Sequence, residues 1–262
     1  MSYLNKRKVR FVYTGYSDGY TNMSIDEAVM IKLRENQSLP ILRIYKWDPP
    51  TISIGYFQKS EDINFDRCKE DGIMVVRRLT GGRAVLHDIE LTYSIIFTED
   101  DFSPFKKKEM FQYIAKALTA SLEELGVNAK MAEKSRGDLK SANCFASPAQ
   151  YEIETPGKQK LIGSAQVIKN GVMLQHGAIP ITTAYSRIDR YLNKDSGAIK
   201  SSSAITEASG KKISDSELLH ALKRGFSHYF PLFDSTLTDE EEELAHYLAK
   251  TKYSTDEWNK KR

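Results

Sequence analysis

Three short stretches of the sequence carry residue types that do chemistry. The first is Arg77-Arg78-Leu79-Thr80-Gly81-Gly82-Arg83-Ala84-Val85-Leu86-His87-Asp88. Paired glycines let a ligand lie close to the backbone, exposed N–H groups there can cradle an oxyanion or phosphate, and the arginines add positive charge. The second, Lys160-Leu161-Ile162-Gly163-Ser164-Ala165-Gln166, sets a lysine at the start of a strand, ahead of small residues, where it could point into a cleft. The third, Ser141-Ala142-Asn143-Cys144-Phe145, places a thiol in small, polar surroundings ahead of Pro148. Free cysteines are most often inert core residues. Cys68 reads as one, and Cys144 is the better placed for reactivity. Taken singly, the first two stretches are more simply a glycine hairpin with solvated arginines and a surface lysine beside a tight strand.

Other constellations are missing. Ser164 has no GxSxG elbow, and there is no HExxH or GxxxxGK[ST] pattern. His87 and His176, the histidines of the sheet region, are too far apart in sequence to suggest a metal site, so no metal is expected. The 262 residues are 40% apolar and 28% charged with a net charge of +3, an ordinary soluble globular balance without the basic stripe of a nucleic-acid reader. No apolar run approaches the ~20 residues that span a bilayer, and the N-terminus lacks the apolar core of a secretory signal. Two cysteines give no disulfide framework. A cytoplasmic protein with no nucleic-acid or membrane partner is expected.

The elements that must position these stretches follow from periodicity and caps. Residues 22–35 predict a helix, with Ser24-x-x-Glu27 as its capping box. Strands are predicted at 41–47, at Ile52, Ile54 and Tyr56 after the Pro49-Pro50 break, at 73–77, and at 91–97. Phe111, Ile114, Leu118, Leu122 and Leu125 have helical spacing, and that stripe reads as core packing. Strands at 151–154 and 160–168 come next, then a hairpin at Asn170-Gly171, where both residues tolerate φ > 0, and a return strand over 172–181. Ser214-x-x-Glu217 and Thr238-x-x-Glu241 are further capping boxes. The expected architecture is α+β: a mixed β-sheet with flanking helices over residues 1–182, then a mostly helical C-terminal extension, 183–262, packed on the same domain.

In this order and spacing, the segments resemble the family of lipoate-protein ligases, octanoyltransferases and biotin-protein ligases. The resemblance covers most of the chain: Asn22-Met23-Ser24-Ile25-Asp26-Glu27-Ala28, Ser53-Ile54-Gly55-Tyr56-Phe57-Gln58, the Arg-Arg-x-Thr-Gly-Gly segment to His87-Asp88, the Lys160 to Gln166 stretch, and Gln175-His176-Gly177. It implies that family's catalytic-domain fold, an acyl tunnel floored by residues 77–87, and Lys160 at the reacting carboxyl carbon. The implied substrate-binding residues are Arg77, Arg78, Thr80, Gly81, Gly82, His87, Gly163, Ser164, Ala165, Gln166 and His176. No helix-turn-helix precedes the domain, which argues against the transcriptional role of repressor-type biotin ligases.

Within the family, Cys144-Phe145-x-x-Pro148-x-x-Tyr151-Glu152 resembles the active-site cysteine loop of LipM-type octanoyltransferases. Where ATP-using ligases typically show an Asn-Asp pair, Gln150-Tyr151-Glu152 stands. The resemblance therefore implies octanoyl transfer in lipoate biosynthesis, with Cys144 and Lys160 catalytic and no cofactor. Octanoyl-acyl carrier protein is the implied donor. The implied acceptor is a lysine of a lipoyl-domain protein such as glycine cleavage H protein or a dehydrogenase E2. Lys160 would act either as a cation lowering the Cys144 pKa or as a neutral base. Alternatives are an ATP- and Mg²⁺-dependent lipoate-protein ligase, a lipoyl-domain amidotransferase, and a non-catalytic carrier-binding module.

Overall fold

The computed structural model describes residues 7–132, 152–193 and 202–262. Its elements run β1 (Val9–Ser17), α1 (Gly19–Arg34), β2 (Ile41–Trp47), β3 (Thr51–Ile54), α2 (Phe65–Glu70), β4 (Met74–Arg77), β5 (Val85–His87), β6 (Glu90–Thr98) and α3 (Lys107–Glu123). Then come β7 (Lys130–Met131), β8 (Ile153–Glu154), β9 (Lys160–Lys169), β10 (Val172–Pro180), a 3-10 segment (Thr183–Tyr191), α4 (Ile205–Ser209), α5 (Asp215–Ser227), β11 (Leu232–Asp234), α6 (Asp239–Leu248) and α7 (Asp256–Asn259).

Among the described residues these strands form two sheets. The larger has the order β11-β1-β2-β6-β10-β9-β8-β7, and the smaller β4-β3-β5. Strands β11, β1 and β2 run parallel, and the rest of the large sheet is antiparallel. The sheet is mixed and flanked by helices, as the pattern predicts. On one face, Phe97 of β6, Leu118 and Leu122 of α3, and Leu222 and Phe226 of α5 belong to one buried cluster. On the other, Ala28, Val29 and Leu33 of α1 pack against Ile96 and Leu174. Burying each of the larger side chains among these is worth roughly 1.5–3 kcal/mol. The β9–β10 hairpin turns at Asn170 (φ 52°) and Gly171 (φ 76°), the left-handed pair that a tight two-residue connection requires. Among the described residues no helix is long and apolar enough to cross a membrane.

The structure departs from the sequence pattern in three places. Helix α1 starts before Ser24: Asp18 is the N-cap and its carboxylate accepts from the Thr21 amide at 2.7 Å. Ser24 and Glu27 are instead interior and buried. The Glu27 carboxylate accepts from Lys252 Nζ (2.6 Å) and the Tyr253 hydroxyl (2.9 Å), so its charge is answered across the fold and not at a helix start. By contrast, Ser214 and Thr238 do form reciprocal capping boxes with Glu217 and Glu241. The second departure is β1, whose run from Val9 was not marked as a strand by alternation. The third is the tail, which is mostly helical but also contributes β11, paired with β1 through Val9–Leu232.

Candidate active site

A cleft opens between the two sheets. Its large-sheet side presents Tyr45 and Trp47 from β2, Thr92 from β6, Gly163, Ser164 and Ala165 from β9, and His176, Gly177 and Ala178 from β10. Its small-sheet side presents Ser53, Arg78, Val85 and His87, and Met23 of α1 closes a corner. Period-2 alternation accounts for part of the pattern: Ala165 is paired with His176 and Gly163 with Ala178, so these four positions share one face of the sheet.

Two hydroxyl–imidazole–carboxylate relays meet at this cleft. In one, Ser53 Oγ lies 2.8 Å from His87 Nε2, and His87 Nδ1 lies 2.8 Å from Glu90 Oε1. Trp47 stacks on the His87 ring at 4.1 Å, its indole N–H donates to Thr92 Oγ1 at 2.8 Å, and the Thr92 hydroxyl donates to the same Glu90 oxygen. In the other, Thr80 Oγ1 lies 2.6 Å from His176 Nε2, and His176 Nδ1 lies 3.4 Å from Asp26 Oδ2. Arg78 joins the two: its guanidinium donates to Ser53 Oγ and to Thr80 Oγ1, each at 3.1 Å. It also donates to the carbonyls of Ser53, Gly81 and Arg83 at 2.8–2.9 Å.

The charges in the second relay are settled by burial and partners. Burial alone would raise the Asp26 carboxyl. The His176 hydrogen bond and the Arg43 charge outweigh it and hold Asp26 below the usual carboxylate range. Arg43 donates to Asp26 Oδ1 at 3.0 Å, and Ser94 Oγ donates to the same oxygen at 2.8 Å. Burial pushes the His176 imidazole down, with its bond to Asp26 working the other way. A neutral ring with its proton on Nδ1 donates to Asp26 and leaves Nε2 to accept the Thr80 hydroxyl.

The glycine loop is shaped by close approach. Gly82 has φ +98°, and a Cβ on Gly55 would lie 1.8 Å from the Gly82 carbonyl oxygen, so no side chain fits between them. Arg78 thus holds the loop from the cleft side. Its neighbour Arg77 points the other way. Arg77 donates to the carbonyls of Gly55 and Gln58 at 2.7 Å and of Asn259 at 2.9 Å, and its own amide donates to the Asn259 side chain. Adjacent strand residues face opposite sides, so of the two arginines only Arg78 lines the cleft.

Of the residues singled out in the sequence, Arg78, His87, Gly163, Ser164, Ala165 and His176 line the cleft. Thr80 reaches it through His176, while Gly81 and Gly82 form the loop that Arg78 grips. Gln166 lies behind the wall, donating to Gln175 Oε1 at 3.1 Å, and its own Oε1 has no partner among the described groups. Lys160 begins β9 fully buried, and its Nζ is 2.7 Å from Glu152 Oε1. Cys144 lies outside the described residues. Cys68 is buried, and burial pushes its thiol up to about 12, an inert core cysteine as expected. Among the described residues no group of three His, Cys, Asp or Glu side chains is placed to hold a metal ion.

The cleft thus combines aromatic and small residues with two fixed imidazoles and the Arg78 guanidinium, and Lys160 lies buried outside its lining. Comparison with known proteins decides the family. A family model described as the lipoyl protein ligase A/B catalytic domain matches residues 18–227. The chain belongs to that family. It is similar over nearly its whole length to the octanoyltransferase LipM of Brevibacillus brevis: 39% identical, covering 97% of this chain and 99% of the relative. The octanoyltransferase LipM of Bacillus subtilis is 36% identical, with 99% and 100% covered. Among solved structures it is similar to a lipoate-protein ligase A bound with ATP, with TM-score 0.82, 31% identity, and 97% and 98% of the two chains covered. A bi-partite lipoate protein ligase, described with its E2 lipoyl domain, from Thermoplasma acidophilum gives TM-score 0.79 at 29% identity, covering 97% and 96%.

Several residues of the cleft and of the network behind it had no role assigned from the sequence: Trp47 and Ser53 on the lining, and Asp26, Arg43 and Glu90 behind it. Asp26 carried one usable signal, a carboxylate set among Ile25, Ala28 and Val29 on the buried face of a helix, where an unpaired charge would be prohibitively costly. Glu90 and Ser53 carried none, because their connection to His87 exists only after β3, β5 and β6 assemble.

Proposed function

We propose that the chain is a protein N-octanoyltransferase, moving octanoyl from an acyl-carrier-protein thioester through Cys144 to a lysine of a lipoyl domain. The observation that carries this reading is full-length likeness to octanoyltransferases, joined to a cleft lined along β9 and β10 mostly by small residues, with β9 beginning at a buried lysine. Burying six methylenes of an octanoyl chain at ~0.8 kcal/mol each contributes roughly 5 kcal/mol, enough to favour eight carbons over two.

The donor thioester is already activated, so the transfer needs a nucleophile and no ATP. The Cys144 thiolate attacks the thioester carbonyl carbon. The carbon–sulfur bond to the carrier breaks, and the departing thiolate takes up a proton. The neutral ε-amine of the acceptor lysine then attacks the acyl-enzyme, loses a proton as the amide forms, and returns Cys144 to its thiol. A lysine cation beside a thiol favours the thiolate, and that is the role of Lys160 here. The acceptor is a lipoyl-domain lysine of a glycine cleavage H protein or an E2. A solved neighbour described together with its E2 lipoyl domain supports that class of acceptor.

The test is mass spectrometry of the enzyme mixed with octanoyl carrier protein without ATP. The expected result is an octanoyl adduct on Cys144 that disappears when acceptor is added. Absence of the adduct, or full activity of Cys144→Ala, refutes the thioester route. Likeness to an ATP-bound lipoate-protein ligase makes ATP activation the second reading. Lipoate-dependent ATP–pyrophosphate exchange would establish it in place of the first.

A further inference from the structure

We infer that Glu152 is the positioning residue for Lys160, its carboxylate fixing the lysine ammonium in one place for acyl transfer. The inference rests on the acyl-transfer reading above. Lys160 Nζ and Glu152 Oε1 are 2.7 Å apart, and the two side chains are only 1% and 3% exposed. The backbone is arranged to bring them together. Ile153 pairs with Ile162 and Glu154 with Lys160, so two steps along β9 oppose one along β8. Such a bulge bends a strand and re-aims its side chains. On the other side, the Lys160 carbonyl accepts from the Ser203 amide at 2.9 Å, and Lys160 forms a parallel bridge with Ser202. The start of β9 is therefore pinned from two directions.

Burying two opposite charges costs much of what their attraction returns, and well-packed apolar residues of the same volume are often as stable or more so. A buried pair at this strand end is therefore poorly explained by stability and well explained by a need for a charged lysine in one rotamer. The pair also stands behind the cleft. Tyr93, pushed up to about 12 chiefly by burial, feels the Glu152 charge, and its hydroxyl is 2.8 Å from Ser164 Oγ on the cleft lining. Glu152, outside the cleft lining, thus acts through Lys160.

The experiment compares Glu152→Gln, an isosteric change that removes only the negative charge, with the parent enzyme and with Lys160→Ala. The assay is ATP-free octanoyl transfer, followed across pH. A buried ammonium that loses a neighbouring negative charge shifts toward the neutral amine. Glu152→Gln should therefore lower kcat at least tenfold with KM within twofold, and the limb of the kcat profile that belongs to Lys160 should move to lower pH. Glu154 opposite Lys160, Tyr93 behind Glu152, and Tyr185, whose hydroxyl bonds Ser202, remain in every variant and cannot produce that movement. An inactive Lys160→Ala beside a Glu152→Gln with parental kcat and profile overturns this inference alone. A loss in Glu152→Gln that is uniform across pH overturns it too, assigning Glu152 a merely structural role. Full activity of Lys160→Ala overturns the acyl-transfer role of the lysine and this inference together.

Discussion

The two walls of the cleft are built on opposite principles. The small-sheet wall is polar and tied together: Arg78 alone reaches Ser53, Thr80, Gly81 and Arg83. The β9–β10 stretch of the large-sheet wall, at Gly163, Ala165, Gly177 and Ala178, is almost without side chains, so its shape there is that of the strands themselves. One wall fixes geometry through hydrogen bonds, and the other makes room. A protein that must hold a flexible apolar chain beside a reactive centre needs both, because room without a fixed reference leaves the reacting carbon unplaced.

The largest effect is expected at Arg78. Arg78→Ala removes a donor from the buried Ser53 carbonyl, from the part-buried carbonyls of Gly81 and Arg83, and from the Ser53 and Thr80 hydroxyls. An expected loss of about 3 kcal/mol in unfolding free energy should accompany a fall of more than roughly 100-fold in octanoyl transfer. Denaturant unfolding and steady-state rates measure both, and a stable, active variant would deny the wall its organising role. A smaller and different effect is expected on the other wall. Ala165→Leu fills space for about two methylenes, so kcat/KM for octanoyl should drop about 15-fold, at ~0.8 kcal/mol per methylene. Butanoyl transfer should stay nearly unchanged, and equal losses for both chain lengths would count against a space-making wall.

The mildest effect concerns His176, which sits on the large sheet but serves the polar network. Burial holds its folded pKa below the unfolded value of 6.5, so the unfolded chain takes up its proton first as pH falls. The contribution to stability is complete above about pH 6.5 and is lost as pH drops from there toward the folded value. His176→Gln should flatten that part of the stability–pH curve, as chemical denaturation at a series of pH values would record. An unchanged slope would mean that other groups carry the acid sensitivity.

Much of this fold was legible in the sequence because alternation and capping are local. The strand over 41–47, the Asn170-Gly171 turn and the caps at Ser214 and Thr238 depend on residues within a few positions of one another. The same locality misled at Ser24-x-x-Glu27, where a cap-like spacing arises because Glu27 answers Lys252 and Tyr253, more than 200 residues on. The site was legible in part for the same reason. His87 and His176 stood out as residue types, but their partners Glu90, Ser53, Thr80 and Asp26 are set by sheet register. Arg77 and Arg78 look alike in sequence, and strand alternation sends one to the tail and the other to the cleft.

The position of β11 has a consequence for how the molecule comes into being. The first strand, β1, receives its outer neighbour from Leu232–Asp234, and Val9 meets Leu232 across almost the entire chain. A ribosome releases the N-terminal strand long before its partner exists. The nascent chain therefore carries an unpaired parallel edge through most of its synthesis, the kind of surface that recruits other strands. Closure of that edge must wait for Leu232–Asp234, and contacts of such long sequence separation form slowly. Completion of this sheet therefore depends on a segment made more than 200 residues after the strand it covers.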